Sequence, residues 1–97
     1  MSMDKKRERP RKYHAAYHRE DDGWYVVSLL DFPGVNSQGK NLREARYMIK
    51  DALTLMVECY LDSGTPLPKP NPRARDKEAD FEEDILLEVR ARALAGS

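Results

Sequence analysis

The sequence is poor in the residues that small secreted scaffolds and membrane proteins need. Its one cysteine, Cys59, rules out an intrachain disulfide framework. Lying on the apolar flank of a helical pattern with no basic neighbour on that face, Cys59 reads as a small buried hydrophobe rather than a nucleophile. No apolar run approaches the ~20 residues that cross a bilayer, and no signal peptide is present. The expectation is a soluble, cytoplasmic chain with no membrane partner. Ser-His-Asp and Cys-His arrangements, a phosphate loop and a basic groove-reading helix are all missing. Nothing calls for a cofactor.

Formal net charge is zero, but the charge is unevenly spread. Lys5, Lys6, Arg7, Arg9, Arg11 and Lys12 crowd the start of the chain against Asp4 and Glu8, so the remainder is net acidic. Such an arm is a solvated terminus, or a contact for nucleic acid or an acidic partner. At 97 residues there is material for one domain with a modest core. The expected division is a flexible basic arm at 1–11, a core at 12–70, and a charged loop with a C-terminal strand or helix at 71–97.

What is present is organised around one long helix. From Asn41 to about Asp62 the apolar residues Leu42, Ala45, Ile49, Ala52, Leu53, Met56, Val57 and Tyr60 fall on one stripe at helical spacing. Asn41 is placed to cap the first amides, and Glu44 to reach back to the amide of Asn41. Gly64 and Pro66 supply the stop. Met48, Leu55 and Cys59 widen the apolar arc to roughly 200°, more than a helix lying on one sheet requires. Either the C-terminal segment folds over that flank or another subunit does.

Before the helix come three strand-like runs. Tyr13–Glu20 alternates Tyr13, Ala15 and Tyr17 on one face with His14, Ala16 and His18 on the other. Asp21-Asp22-Gly23 turns the chain into Trp24–Leu30, which is apolar on both faces, with Val26 on the side of Trp24 and Leu30. Such a strand is covered on both sides, by the helix and by a partner or the tail. Asp31-Phe32-Pro33-Gly34 turns again into a short strand at Val35–Gln38. Beyond Gly64, Pro66, Pro68, Pro70 and Pro72 favour a stiff extended connector. Arg73–Asp84 has the look of a mobile loop, and a further strand is expected at Asp84–Arg90, with a helix as the alternative. The fold class is therefore α+β, a two-layer βββαβ with an antiparallel sheet on one long helix.

Two constellations carry possible chemistry. His14 and His18 share a strand face, but four residues on a strand span about 13 Å, too far for one metal ion. Asp31, Glu44 and Asp51 could be set out as a metal-holding nuclease site, yet Glu44 has a capping role and Asp51 sits on the polar arc of the helix.

The ordered set from Tyr13 to Pro70 resembles the HicB-like antitoxins. The residues concerned are an aromatic strand, the Asp-Asp-Gly turn, Trp24-Tyr25-Val26-Val27, Asp31-Phe32-Pro33-Gly34, Gln38-Gly39, Asn41-Leu42-Arg43-Glu44-Ala45, Asp51-Ala52-Leu53 and Pro66-Leu67-Pro68-Lys69-Pro70. The family's pattern departs here at Leu30, where a proline is usual, at Val35, where cysteine is frequent, and at Lys40, which replaces a common Asp. The resemblance implies a degraded, partial RNase H-like fold without nuclease activity. It also implies a protein that assembles with itself as a dimer or tetramer and masks a small basic ribonuclease toxin that cleaves mRNA. Family members often add a C-terminal DNA-binding domain; the segment after Pro72 is too short and too acidic for one, so DNA binding is not expected. Candidate partner contacts are Trp24, Asp31, Phe32, Pro33 and Gln38, grouped around the turn between the second and third strands. Candidate self-association residues are Val26, Met48, Leu55 and Cys59. The competing reading is an RNA-binding module that uses the basic arm and the sheet.

Overall fold

The computed structural model describes residues 11–87. Four strands and a helix follow in the order β1 (Arg11–Arg19), β2 (Tyr25–Leu29), β3 (Asn36–Gly39), α1 (Leu42–Ser63) and β4 (Phe81–Leu87). The sheet order is β3-β2-β1-β4, with every neighbouring pair antiparallel. This is the expected α+β architecture.

Period-two alternation puts Tyr13, Ala15 and Tyr17 of β1 on one face with Val27 and Leu29 of β2 and Ile85 and Leu87 of β4. Ala45, Ile49, Leu53 and Val57 of α1 close over that face, together with Phe32 and Val35 from the β2–β3 connection. Aromatic rings fill its two ends. Phe32 stands between Tyr13 and Tyr60, with centroids 5.1 and 5.3 Å away, and Phe81 stacks on Tyr17 at 4.6 Å. Pairs of this kind add about 0.5–1.5 kcal/mol beyond the area they bury.

The helix ends obey their local chemistry with one adjustment. Asn41 Oδ1 accepts from the Glu44 amide at 2.8 Å, but the Glu44 carboxylate accepts from the amide of Lys40 at 2.6 Å, not from that of Asn41. At the other end Gly64 has φ 74°. Its amide donates to Leu61 and that of Thr65 to Tyr60, at 3.2 and 2.9 Å, which satisfies two terminal carbonyls by a Schellman closure.

Three expectations need correcting. Arg11, assigned to the basic arm, is the first residue of β1 and pairs with Leu87. Arg73–Asp84 is not a loose loop: Phe81–Asp84 belong to β4, and the Asp80 amide already donates to the Tyr17 carbonyl at 2.8 Å. The last strand therefore starts at Phe81 rather than Asp84, because stacking on Tyr17 outweighs the charged surroundings of Phe81. The N-terminal arm at 1–10, and with it the remainder of the expected strand or helix at 88–94, lies outside the described residues.

β3 leads directly into α1 through Gly39, and the space there is closed. A Cβ on Gly39 would stand 2.8 Å from Cα of Ala45, itself fully buried. Gly39→Ala is expected to lower the unfolding free energy by about 1–3 kcal/mol, measured as a lower urea midpoint at unchanged m-value. A midpoint equal to that of the parent would show that helix and strand have slack there.

Candidate functional site

Asp31 follows β2 at the mouth of the tight turn, and its side chain is only 2% exposed. Oδ1 accepts from the His14 amide at 2.8 Å. Oδ2 accepts from His14 Nδ1 at 2.8 Å and from the Asn71 amide at 2.9 Å. Burial alone raises a carboxyl pKa; here the His14 amide, the His14 ring and the Asn71 amide outweigh it and hold Asp31 below the ordinary carboxylate range.

Asn71 lies between Pro70 and Pro72, at the end of the proline-rich connector and the start of a strap that leads to β4. Tyr13 Oη and Arg11 donate to the Pro68 carbonyl at 2.6 and 3.3 Å. Past Asn71, Asp76 meets His18 Nε2 at 2.7 Å and Asp80 accepts from the Arg19 amide. His14 and His18 lie on the sheet face away from α1, so the strap runs along that face before entering β4. Each histidine is thus taken up by its own carboxylate, His14 by Asp31 and His18 by Asp76, and the two do not meet over one ion. His14 Nε2 also lies 3.5 Å from Asp84.

A second polar cluster ties β4 to the helix. Arg46 donates to both carboxylate oxygens of Glu83 at 3.0 Å, and Tyr17 Oη donates to Oε2 at 2.7 Å. The guanidinium also stands 5.8 Å above the Phe81 ring. Burial first, then the hydrogen bond to Glu83, push the Tyr17 phenol well up. For Glu83, burial alone raises the carboxyl, and the Arg46 and Tyr17 bonds bring it below its usual range.

The sequence-derived contact residues do not share one surface. Trp24 and Gln38 lie toward one end of β2, where Gln38 pairs opposite Val26; Asp31, Phe32 and Pro33 follow its other end. Phe32 is wholly buried and Asp31 is bonded inward, whereas Pro33 is exposed. What remains open is a half-buried row of Trp24, Val26 and Leu30 on the face away from α1, flanked by exposed Gln38. The self-association set also divides. Val27 packs under the helix, so the pleat sends Val26 to the opposite face, far from Met48, Leu55 and Cys59. Those three follow one flank of α1, with Leu55 56% exposed; Cys59, expected to be a buried hydrophobe, is instead exposed, because no described segment folds over that part of the flank.

Residues 12–79 match the family described as the HicB-like antitoxin of bacterial toxin-antitoxin systems. The chain belongs to the HicB-like antitoxin family. It is 33% identical over 60 residues to a UPF0150 protein of Thermoplasma acidophilum, a match that covers 62% of this chain and 87% of that protein. Antitoxin HicB of Escherichia coli K12 is 35% identical over 51 residues, 53% of this chain but only 37% of that longer protein. The fold matches the crystal structure of the N-terminal domain of Burkholderia pseudomallei antitoxin HicB, with TM-score 0.61 at 22% identity over 81% of this chain and 98% of that one. Against the whole of that antitoxin the TM-score is 0.65 at 22% identity, over 89% of this chain and 68% of that one.

Within this HicB-like domain, the nuclease-style set of Asp31, Glu44 and Asp51 is not assembled. Asp31 is turned toward His14 and Asn71, Glu44 caps the helix start and Asp51 is exposed. Among the described residues no three His, Cys, Asp or Glu side chains converge as metal ligands. No helix of the described residues is long and apolar enough to cross a membrane. His14 and Asn71, which decide what Asp31 does, escape sequence reasoning, as do Arg46 and Glu83. The available signals were an Asp just before a Phe-Pro-Gly turn and the lone aromatic Phe81 in a charged stretch.

The Asp31 pin has a signed pH dependence. Its folded-state pKa lies below the ordinary 3.8, so its stabilisation is fully present above that value and is lost as pH falls through the lower folded value. Asp31→Asn is expected to cost about 2–4 kcal/mol at neutral pH, and the gap to the parent should narrow in acid near pH 2. Urea unfolding at both pH values measures it; a pH-independent gap would remove the carboxylate from this role.

Proposed function

We propose that this HicB-like chain binds a small, basic, mRNA-cleaving toxin and masks it, without catalysing a reaction of its own. The observation that carries the reading is the family match over residues 12–79, which makes a toxin the partner to seek. The open row of Trp24, Val26 and Leu30 beside Gln38 supplies apolar surface for such a contact. Acidic side chains outnumber basic ones between residues 11 and 87, which favours encounter with a basic partner.

In this reading Trp24 and Gln38 touch the toxin. Phe32 and Asp31 hold the turn that presents Pro33. Met48, Leu55 and Cys59 on the open flank of α1 serve self-association into a dimer or tetramer. An mRNA-cleaving partner places the pair in the cytoplasm.

Reconstitution tests this. The product of the reading frame next to this chain's own is purified alone, and any cleavage of mRNA by it is followed as the chain is added. Cleavage is expected to stop at stoichiometric chain, and Trp24→Glu to raise the amount required by about tenfold or more. Undiminished cleavage at saturating chain would refute masking. Retention of RNA by the chain alone would favour the RNA-binding alternative.

A further inference from the structure

β3 borders the sheet on the side away from β4, and one hydrogen bond assigns its outward groups. The Leu29 amide donates to the Val35 carbonyl at 3.0 Å, in line with the register that sets Val27 opposite Ser37 and Tyr25 opposite Gly39. Val35 therefore turns its backbone groups toward β2. Backbone direction alternates along a strand, so Ser37 and Gly39 also face β2, and the N–H and C=O groups of Asn36 and Gln38 point outward. No strand lies beyond them among the described residues. The side chains of Asn36 and Gln38, opposite Ser28 and Val26, lie on the face away from α1, and both are exposed. Natural edges are commonly guarded by charge. β4 carries Glu82, Glu83 and Asp84, but β3 reads Asn36-Ser37-Gln38-Gly39 and has none.

The apolar flank of α1 stands on this same side of the molecule. Arg46 marks the flank toward β4, where it holds Glu83. At ~100° per residue Met48, Leu55 and Cys59 are turned about 140–180° from Arg46, which aims them toward β3. In agreement, a Cβ on Gly34, just before β3, would stand 3.6 Å from Cε of Met56. An uncharged free edge and an apolar strip therefore lie side by side.

A second copy laid antiparallel about a two-fold axis at Ser37 suits both. Asn36 of each copy then stands opposite Gln38 of the other, and their outward N–H and C=O groups pair. On the outer face side-chain amides meet side-chain amides, with no like charges opposed. An axis at Asn36 would set Gln38 against Gly34, and an axis at Gln38 would set Asn36 against Lys40, where the chain is already turning into the helix cap. Only the axis at Ser37 pairs both outward residues within β3. It also leaves the two helices on one face. Each α1 packs over β2 and β3, so a strand spacing of ~4.8 Å brings the two helices to roughly 10 Å, a distance at which helices pack.

We infer that a second copy of this chain docks along β3, the Asn36–Gly39 strands pairing antiparallel to make one continuous sheet beneath the two α1 flanks. The inference rests on the self-association reading above and supplies the backbone edge that accompanies the flank. The contact leaves Trp24, Val26 and Leu30 open on the outer face.

Three full-length edge variants test it: Asn36→Lys with Gln38→Lys, Asn36→Glu with Gln38→Glu, and Asn36→Lys with Gln38→Glu. Assembly mass is read by light scattering and sedimentation. Each of the first two alone is expected to halve the parent's assembly mass, or to weaken self-association by about tenfold or more. Their equimolar mixture is expected to restore it, because every pair across the seam is then opposite in sign. The third is expected to assemble by itself, since the axis at Ser37 sets its Lys against its Glu, whereas either neighbouring axis sets like against like. Edge variants that keep the parent mass when alone, folded variants that do not associate on mixing, or a third variant that fails to assemble would overturn the inference. Leu55→Glu separates this from the flank reading. Loss of assembly there with the edge variants intact removes the β3 contact alone, retained assembly there with the edge variants dissociated keeps the β3 contact and removes the flank, and a monomeric parent removes both. Circular dichroism checks folding; should a charged variant not fold, Gln38→Pro, which deletes an outward amide and spares the bonds to β2, decides by loss or retention of assembly.

Discussion

A carboxylate with 2% of its side chain exposed must find donors or give up its charge, and Asp31 finds three. Two come from His14 in β1 and one from Asn71 in the strap. The turn after β2, the middle of β1 and the segment that delivers β4 are thereby fixed to one another through a single side chain. Without that point the strap would be held by the partly exposed His18–Asp76 pair and by hydrogen bonds to Arg19 and Pro68. Hydrogen bonds to a charged acceptor are the stronger kind, so a short connection can be held with little apolar surface.

The Arg46–Glu83–Tyr17 cluster does the corresponding job on the other face. β4 has two side chains in the core, Ile85 and Leu87, plus the stacked Phe81, too little for an isolated strand to hold its place. Arg46 reaches from α1 over Phe81 to Glu83, and Tyr17 closes the same carboxylate from β1. Helix and outer strand are joined across the sheet by a fork of donors rather than by a wider helix face. On the remaining flank of α1 Met48 is half-buried, while Leu55 and Cys59 are left exposed.

The helix and its caps were legible because each signal is local: a stripe at helical spacing, Asn41 before it and Gly64 after it. The first two strands were legible for the same reason, through alternation and the Asp-Asp-Gly turn. Legibility failed where the deciding partner lies far along the chain. Asp31 looked like a surface residue of a polar turn, because nothing nearby in sequence announces His14 or Asn71. Arg73–Asp80 looked loose, because its anchors are single side chains, Asp76 and Asp80, that bond to β1 rather than a pattern within the segment. Phe81 is the one aromatic there, yet only stacking on Tyr17 explains why β4 begins at it. Even in the capping box the short-range rule misplaced one bond, since Glu44 bends to the Lys40 amide instead of the neighbouring Asn41.

The Asp31–His14 pair resembles the orienting half of a catalytic triad, and its surroundings weigh against that use. A histidine acting as general base needs its second nitrogen free toward a nucleophile or a water. Here Nδ1 is held by Asp31 at 2.8 Å and Nε2 points to the Asp84 carboxylate 3.5 Å away. No serine, threonine or cysteine hydroxyl or thiol is among the partners of His14 in the described contacts. A ring between two carboxylates is placed to join segments, in this case β1, the turn after β2 and β4. His14 and Asp31 are thus occupied in holding the sheet together.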